Sequence, residues 1–394
     1  MLSIEESYSI IEQLLPHDRV EQLPLSSCLG RILAQDVFAD IDQPSFNKSA
    51  MDGYACRKED LHAPLHVKGV IAAGTCINES LSSGDCYRIF TGAPVPEGAN
   101  CVIKQEDTEL SDNGNVIFTG SKSNDNICFQ GEDCKIGEKV LTAGTVIGPQ
   151  HLASLAGYGV NNPLVFQKAS VVLICSGSEL VEPTVKPSGP MIRNSNATQL
   201  LGQLTAIGAH VEYKGIVCDD REEIHDSIKS NINLYDFVII TGGASVGDFD
   251  FIPSVLTSLG AEIQISSLNI QPGKPLLLGK IDKTFIIGLS GNPVSSFLQT
   301  KLIVQPLILK KMGAKLFLPK IIQIPLHDDV SRKKGDRKLF LPAKINADGK
   351  AEVIKFNGSA HLLSLTSADG FIILNPGVNL IMKNELVQLV LFGA

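Results

Sequence analysis

The sequence has no block of basic residues that would indicate a nucleic-acid binder. Its 394 residues carry 34 Lys and Arg against 42 Asp and Glu, a formal charge of −8, and the basic residues are spread along the chain. Strong nucleic-acid binding depends on neutralising many phosphates, so this charge pattern argues against it. We therefore expect no nucleic-acid partner, and we expect any anionic ligand to be held by local donors.

Long apolar runs and closely spaced cysteine pairs are also missing. No run approaches the roughly 18 residues that a membrane span needs. The N-terminus, MLSIEESYSI, is acidic where a signal peptide would be basic and then apolar. The nine cysteines are scattered and never in CxxC spacing, which argues against a disulfide framework or a zinc knuckle. These absences predict a cytoplasmic protein with no membrane partner and with reduced cysteines.

The pattern of apolar residues changes three times along the chain, which predicts several domains. Residues 1–50 open with helical spacing, and residues 51–134 contain short apolar runs with frequent Gly and Asn turns. Residues 169–315 alternate apolar strands with helices, which predicts a parallel sheet covered on both faces. Residues 316–394 read as a small all-β domain. Residues 135–168 could pack back on the first segment, which makes the β-rich unit an insertion.

Polar, glycine-containing loops follow three of the predicted parallel strands. They begin at Ser176 in SGSEL, at Thr241 in TGGASVGDFD and at Ser290 in SGNPVS. Ligands of open parallel sheets bind beyond the carboxyl ends of the strands, where glycine allows close backbone approach. Each loop alone could be an ordinary strand-to-helix turn, but together they predict an anion pocket. GxGxxG and GxxxxGK[ST] are both absent, so usual dinucleotide and P-loop sites are weakly supported.

Acidic and hydroxyl residues recur at turns of the β-rich unit. Asp52 precedes Gly53, Thr91 ends the run YRIFT, and Asp133 lies in GEDCKIGE. Carboxylate oxygens at such turns are suitable ligands for Mg²⁺, which often bridges to phosphate. Each residue by itself could equally be a turn former or a helix cap.

At these loops the sequence closely resembles the molybdopterin molybdenumtransferase family, the MoeA-type enzymes, which are related to the C-terminal part of gephyrin. The resemblance covers essentially the whole chain. Its marks, in order, are SAMDGYA, FTGAPVPEGANCVI, GEDCKIGE, SGSELVEP, IRNSN, TGGASVGDFD, PGKP and SGNPVSSF.

The resemblance implies a multidomain α/β plus β fold with four domains. These are a discontinuous, elongated N-terminal domain (1–50 and 135–168), an inserted β-rich domain (51–134), a three-layer α/β/α molybdopterin-binding domain with a parallel sheet (169–315) and a C-terminal β-barrel (316–394). It also implies a homodimer, with the active cleft between the α/β domain of one subunit and the inserted domain of the other. The implied reaction inserts molybdate into adenylylated molybdopterin in the presence of Mg²⁺ and releases AMP, with other molybdenum cofactor biosynthesis proteins as possible partners.

The resemblance also implies which residues of this chain are functional, because each motif can be matched to the corresponding motif of the family. The resemblance implies catalytic roles for Asp52, Thr91, Asp133 and Glu179. It implies metal binding by Glu179, Asp219 and Asp250. It implies substrate binding by Ser176, Gly177, Ser178, Asn194, Ser195, Asn196, Gly242, Gly243, Ser245, Gly247, Lys274, Gly291 and Asn292.

The chain departs from the family pattern at several positions of the expected site. Many members have Arg at the position of Cys128, Lys at those of Ser267 and Gln271, Asp at that of Ser178, and Pro at that of Ser290. Charge-assisted hydrogen bonds are about twice as strong as neutral ones, so missing cations weaken the hold on phosphate and molybdate. Two alternatives to the enzyme therefore stay open: a divergent paralogue that binds molybdopterin or a nucleotide without turnover, and a scaffold for protein partners.

Overall fold

The computed structural model describes residues 1–75, 79–243, 251–333, 335–356, 358 and 360–393. The chain forms two compact units. The first comprises Met1–Gln35, Ala143–Pro149 and Asn162–Ala394, and the second comprises Asp36–Thr142 and Gln150–Asn161. No helix in the described ranges combines the length and the apolar character that crossing a membrane requires.

A six-stranded sheet forms the centre of the first unit. Its strands, numbered in chain order, are β1 (Ser170–Ser176), β2 (His210–Val217), β3 (Phe237–Thr241), β4 (Glu262–Ile265), β5 (Leu277–Ile281) and β6 (Thr284–Leu289). The spatial order is β2-β1-β3-β6-β5-β4, and β2, β1, β3 and β6 are mutually parallel. The predicted α/β fold class is confirmed.

The sheet differs from the predicted parallel sheet on one side. There β5 pairs antiparallel with both of its neighbours, β6 and β4. Only Asp282 and Lys283 separate β5 from β6, and Asp282 adopts φ 51°. Two residues can close an antiparallel hairpin, whereas a parallel connection needs a crossover of a dozen or more. Strand β5 therefore pairs with β6 as a hairpin.

The sheet is buried on both faces, as its continuous apolar runs predict. Val171 and Leu173 of β1 belong to one hydrophobic core, while Val172 and Ile174 belong to the other. Successive side chains of a strand point to opposite faces, so a strand buried on both sides must be apolar at every position. The helices of this unit lie at Ser195–Ala206, Arg221–Lys229, Ile252–Ser258, Pro293–Gln299, Gln305–Lys311 and Leu363–Thr366, with a π-helical turn at Thr300–Val304.

The N-terminal helix, Ile4–Glu12, begins with a capping box. The Ser3 hydroxyl accepts from the Glu6 N–H at 3.1 Å, and the Glu6 carboxylate accepts from the Ser3 N–H at 2.7 Å. Both bonds satisfy donors that a helix start leaves unpaired. Ile4 and Ile11 pack into the central core, which confirms the helical spacing.

The end of the chain is β-rich, as predicted. Its larger sheet has the order Ile270–Gln271, Lys338–Ile345, Gly370–Leu374, Leu386–Leu391 and Ile321–Pro325, with Ala351–Val353 also paired to Lys338–Ile345. Val330–Ser331 pairs with Leu380–Ile381. Two smaller pairings complete the first unit: Val20–Gln22 with Leu164–Phe166, and Leu180–Val181 with Ile192–Arg193.

The second unit contains a four-stranded sheet in the order His66–Ile71, Asp85–Ile89, Gly53–Cys56 and Cys101–Lys104. Short pairs join Thr108–Leu110 to Val116–Phe118, Lys48–Ser49 to Ile127–Cys128, and Val37–Phe38 to Lys139–Leu141. The helix Pro149–Gly157 lies mostly in this unit and begins at a proline, which is favoured in the first turn of a helix. Short 3₁₀ turns lie at Lys58–Asp60 and Gln105–Asp107 here, and at Leu25–Ser27 in the first unit.

Candidate substrate-binding cleft

A cleft of about 770 Å³ opens at the carboxyl ends of the parallel strands. Most of the carried-over binding residues meet there. Its walls are formed by Ser176, Glu179, Leu180, Ile192, Arg193, Asn194, Ser195, Asn196, Asp219, Thr241, Gly242, Gly243, Pro275, Ser290, Gly291, Asn292, Pro293, Ala360 and Leu362. The three loops singled out in the sequence therefore converge on one cavity.

Glycine is required at the floor of the cleft because the loops touch through their backbones. Gly242 has φ 91°, and a Cβ built there would lie 2.2 Å from the carbonyl oxygen of Ser176. A Cβ on Gly291 would lie 3.6 Å from the Cα of Gly242. The loops after β1, β3 and β6 are thus in contact, and a side chain at 242 would force the first two apart.

Asp219 ties the loop after β1 to the end of β2. Its Oδ1 accepts from the Ser176 hydroxyl at 2.5 Å, and its Oδ2 accepts from the Ser178 N–H at 3.3 Å. The Ser178 hydroxyl in turn accepts from the Asp219 N–H at 3.2 Å. Asp219 faces the cleft, but both oxygens of its carboxylate already accept hydrogen bonds from the loop after β1.

Glu179 is the carboxylate of the cleft that has no partner within the described residues. Its side chain is exposed, and a Cβ on Gly177 would come within 2.9 Å of its Oε2. Gly177 therefore leaves room for this carboxylate. An unpaired carboxylate on a wall that also presents glycines, hydroxyls and amides is available to a ligand or a metal ion.

The two asparagines of IRNSN bond to the protein itself. Asn194 caps the helix Ser195–Ala206 by accepting from the Ala197 N–H at 3.1 Å, and it donates to the Tyr213 hydroxyl at 2.9 Å. Asn196 donates to the Gly291 carbonyl at 2.8 Å. Both are buried, so the structure shows them holding the cleft wall, and their contact with substrate stays a prediction.

Some of the binding residues that the resemblance implies do not line this cleft, and others lie outside the described residues. Gly177 and Ser178 are on the loop after β1, and Lys274 is exposed beside Pro275, but none of the three borders the cavity. Ser245, Gly247 and Asp250 lie outside the described residues. No group of three His, Cys, Asp or Glu residues that could hold a metal ion occurs within the described ranges.

In the second unit, Asp52 and Thr91 are in direct contact. One oxygen of the Asp52 carboxylate accepts from the N–H and from the hydroxyl of Thr91, both at 2.7 Å. These bonds, helped by the charge of Arg88, hold the pKa of Asp52 below its usual value. Asp52 is therefore a carboxylate at neutral pH, as metal or oxyanion positioning requires.

Asp133 lies on a turn in the same unit, with its side chain exposed. Its N–H donates to the Gln43 carbonyl at 3.0 Å, and the turn is held by Glu132, which accepts from the Phe129 N–H at 2.8 Å. No hydrogen bond to the Asp133 side chain occurs in the described part of the chain. The turn is thus built by neighbouring residues and leaves this carboxylate available.

Two of the departures from the family pattern have specific surroundings. Cys128 lies directly across an antiparallel pair from Lys48, so a cation stands beside the position where many members have Arg. Gln271 is exposed in a short strand paired with Leu339. Among the described residues of the cleft wall, Arg193 is the one basic side chain, and its Nε donates to the Val185 carbonyl at 3.2 Å.

Several residues of the cleft wall carry no sequence signal for a binding role. Leu180 and Ile192 form its apolar side, and Ala360 and Leu362 come from the C-terminal segment. An apolar residue on a loop looks the same in sequence whether it packs inside a core or against a ligand. Only the fold brings residues near 360 to the loops near 180 and 290.

A second cavity, of about 850 Å³, opens at the opposite edge of the sheet. It is lined by residues at or just before the start of the parallel strands, such as Ser170, Asp236 and Thr284. Asp236 there is already bonded to Ser170 and Arg19. The smaller cleft at the carboxyl edge is the candidate site because its loops approach through glycine and its Glu179 has no partner among the described residues.

A doubly covered α/β sheet with a glycine-floored cleft at its carboxyl edge defines a ligand-binding protein of the α/β class. Family models match three successive regions: the MoeA N-terminal region (domain I and II) over residues 2–159, a "probable molybdopterin binding domain" over 172–310, and the MoeA C-terminal region (domain IV) over 323–392. The chain belongs to the MoeA family, which confirms the resemblance seen in its motifs.

Relatives match over nearly the full length. The chain is 33% identical over 376 residues to a molybdopterin molybdenumtransferase of Staphylococcus epidermidis, covering 93% of this chain and 90% of the relative. It is 33% identical over 400 residues to the Haemophilus influenzae protein of the same name, covering 99% and 98%. The crystal structure of the molybdopterin biosynthesis MoeA protein from Pyrococcus horikoshii superposes with a TM-score of 0.83 at 29% identity, covering 99% of this chain and 100% of that one.

Proposed function

We propose that this protein is a molybdopterin molybdenumtransferase, which inserts molybdate into adenylylated molybdopterin and releases AMP in molybdenum cofactor biosynthesis. The observation that carries the proposal is the convergence of three glycine-containing loops on one cleft beside the unpaired carboxylate of Glu179. Full-length relatives bearing this name support it.

The cleft offers neutral donors to an anionic substrate. The helix Ser195–Ala206 begins at the cleft wall, and the positive end of a helix dipole favours phosphate groups. Gly242, Gly243 and Gly291 let the substrate approach the backbone closely, because no side chain intervenes. Leu180 and Ile192 form an apolar side against which a pterin ring can pack. We propose these residues, with Ser176 and Asn292, as the substrate-binding set, and we propose that Lys274, which is exposed next to the cleft residue Pro275, adds a positive charge.

We further propose that Mg²⁺ binds at Glu179 and Asp219, with Asp250 as a third ligand. The two described side chains, Glu179 and Asp219, suit such an ion, because carboxylate oxygens are the ligands that Mg²⁺ prefers and the Glu179 carboxylate has no partner within the described residues. When bound, the ion neutralises charge on the phosphates. The protein's own task is to present both carboxylates on one wall, and the Ser176 and Ser178 bonds fix the Asp219 carboxylate there.

The carboxylates of the inserted domain form the second part of the proposed machinery. Asp52, fixed by Thr91, and the exposed Asp133 would position metal or molybdate. We propose a homodimer in which this domain of one subunit closes the cleft of the other. We also propose the four-domain division that the resemblance implies. The resemblance also supports a cytoplasmic location and contact with other cofactor biosynthesis proteins.

The direct test incubates the purified protein with adenylylated molybdopterin, molybdate and a Mg²⁺ titration, and measures AMP. Release should depend on both molybdate and Mg²⁺, and Asp133→Asn should reduce it by about 100-fold or more while leaving the thermal unfolding temperature nearly unchanged. A folded dimer that releases no AMP above the blank would contradict the proposal. If Asp133→Asn instead unfolds at a much lower temperature while its remaining folded fraction is fully active, Asp133 is structural.

A second candidate function is binding without turnover. It is favoured by the cleft's charge, since its described wall carries Glu179 and Asp219 but only Arg193 as a cation. This alternative predicts saturable binding of adenylylated molybdopterin with no AMP formed. The same incubation, with bound ligand measured alongside AMP, separates the two functions.

A further inference from the structure

One buried amide connects two loops at the mouth of the cleft. Gln299 is the last residue of the helix Pro293–Gln299 and is fully buried. Its Oε1 accepts from the Ser290 N–H at 3.0 Å. Its Nε2 donates to the Gly273 carbonyl at 2.9 Å and to the Pro275 carbonyl at 2.5 Å. The side chain thus bonds the PGKP loop on one side and the SGNP loop on the other.

Both loops that Gln299 joins contribute to the cleft wall. Pro275 lines it from the first loop, and Ser290, Gly291 and Asn292 line it from the second. We infer that Gln299 is a positioning residue, which fixes the distance between these two loops and so the shape of the substrate cleft. It touches no substrate atom itself, since it lies behind the wall.

The chemistry of the amide suits this task. Three hydrogen bonds use its acceptor and both of its donors, and each partner is a backbone group that secondary structure leaves unpaired. The Gly273 backbone has φ 91°, and a Cβ there would meet the Gln299 side chain at 3.2 Å. Close packing and a full set of bonds leave the amide little freedom, and loops bonded to it share that rigidity.

The hydrogen bond between Gln299 and Ser290 also depends on Ser290, one of the positions at which this chain departs from the family pattern. Many family members have Pro at this position, and proline has no backbone N–H to donate. In this chain Ser290 has the N–H, and Gln299 accepts from it. The chain therefore holds the SGNP loop by a bond that a Pro-containing relative cannot form at this position.

The test compares Gln299→Met with the matched control Gln305→Met. Gln305 is also buried, and its Nε2 donates to the Gln203 carbonyl at 2.8 Å, away from the cleft. We expect the amides of Gly273, Lys274, Leu276 and residues 290–292 to exchange with solvent about tenfold faster in Gln299→Met, and not in Gln305→Met. Equal patterns in the two variants, or no local change at Gln299, would overturn the inference.

A double-mutant cycle measures the Ser290 half of the contact. Ser290→Pro removes the N–H, and the preceding Leu289 ends a strand, where the backbone suits a residue before proline. We expect Ser290→Pro to raise the unfolding equilibrium constant severalfold less in the Gln299→Met background than in the wild type. Identical effects in both backgrounds would mean that the bond does not couple the residues. If Gln299→Met does not fold, Ser290→Pro alone must still accelerate exchange at the amides of Gly291 and Asn292.

The kinetic consequence rests on the proposed function. Gln299→Met should raise KM for adenylylated molybdopterin about tenfold, with a smaller change in kcat, while Gln305→Met leaves both unchanged. A wild-type protein that releases no AMP refutes the proposed function but leaves the exchange and cycle measurements valid. A purely structural role would lower stability in both variants without moving KM in either.

Discussion

The two edges of the central sheet use carboxylates in opposite ways. At the amino edge, Asp236 Oδ2 accepts from the Ser170 N–H at 2.8 Å, the Ser170 hydroxyl at 2.9 Å and Arg19 at 2.6 Å. At the carboxyl edge, the side chain of Glu179 has no hydrogen bond or ion pair within the described residues. The same sheet thus holds one carboxylate saturated by donors and one left available.

The electrostatic surroundings of Asp236 also show that the carboxylate at the amino edge stabilises the fold. Burial acts to raise the pKa of Asp236, but the bonds from Ser170 and Arg19 outweigh it and hold that pKa below its usual value. A group whose pKa is lowered by folding contributes stability when it is ionised. Asp236 therefore stabilises the fold, whereas Glu179, exposed on a glycine-lined wall, is suited to a ligand. Substitutions at the two edges should have separable effects.

Gly242→Ala should have the largest effect, because it adds a methyl group where two loops touch at the floor of the cleft. The new Cβ would lie 2.2 Å from the Ser176 carbonyl oxygen, and the backbone has φ 91°. Neither atom can move without separating β1 from β3, so we expect a loss of about 3 kcal/mol or more in the free energy of unfolding, together with loss of activity. Urea unfolding and AMP release measure the two. Gly202→Ala, in a helix with nothing within 4 Å of its Cβ, is the control and should be neutral or slightly stabilising.

Glu179→Gln should remove activity and spare the fold. The amide keeps the size of the side chain but loses the charge that a metal ion needs, so we expect AMP release to fall by about 100-fold. The melting temperature should stay within about a degree of wild type, because the side chain has no partner to lose. Glu262→Gln, an exposed carboxylate on β4, serves as control. A large drop in melting temperature with normal turnover per folded molecule would place Glu179 among the structural carboxylates with Asp236.

Much of the carboxyl edge could be predicted from the sequence. Continuous apolar runs indicate strands buried on both faces, and parallel strands must bring their carboxyl ends to one edge, so loops with Gly and hydroxyl residues there have to meet. The pairing of Gly242 with Ser176 follows from that logic. The antiparallel pairing of β5 with β6 follows from the two-residue connection before Thr284, which is a hairpin signal that the alternation of strands and helices obscured.

Other features depend on contacts that no local pattern records. Gln299 looks like an ordinary helix residue, yet its partners Gly273 and Pro275 are more than twenty residues away in sequence. Asn194 and Asn196 match family motifs, but the structure uses both side chains to hold the cleft wall. Motifs identify which residues matter, whereas the fold decides whether a residue faces the ligand or supports one that does.

Asp236→Asn should have the smallest effect and should depend on pH. The amide cannot accept as strongly from Arg19 and Ser170, so we expect a loss of about 1 to 3 kcal/mol at pH 7. The wild-type contribution is fully present above the unfolded-state pKa of about 3.9 and is lost as pH falls through the lower folded-state pKa. The stability difference between wild type and Asp236→Asn, measured by urea unfolding, should therefore shrink as pH drops below about 4, while AMP release per folded molecule stays normal at neutral pH. A difference that is constant with pH would show that the Asp236 charge does not stabilise the amino edge, and a loss of turnover would show that the two edges are not independent.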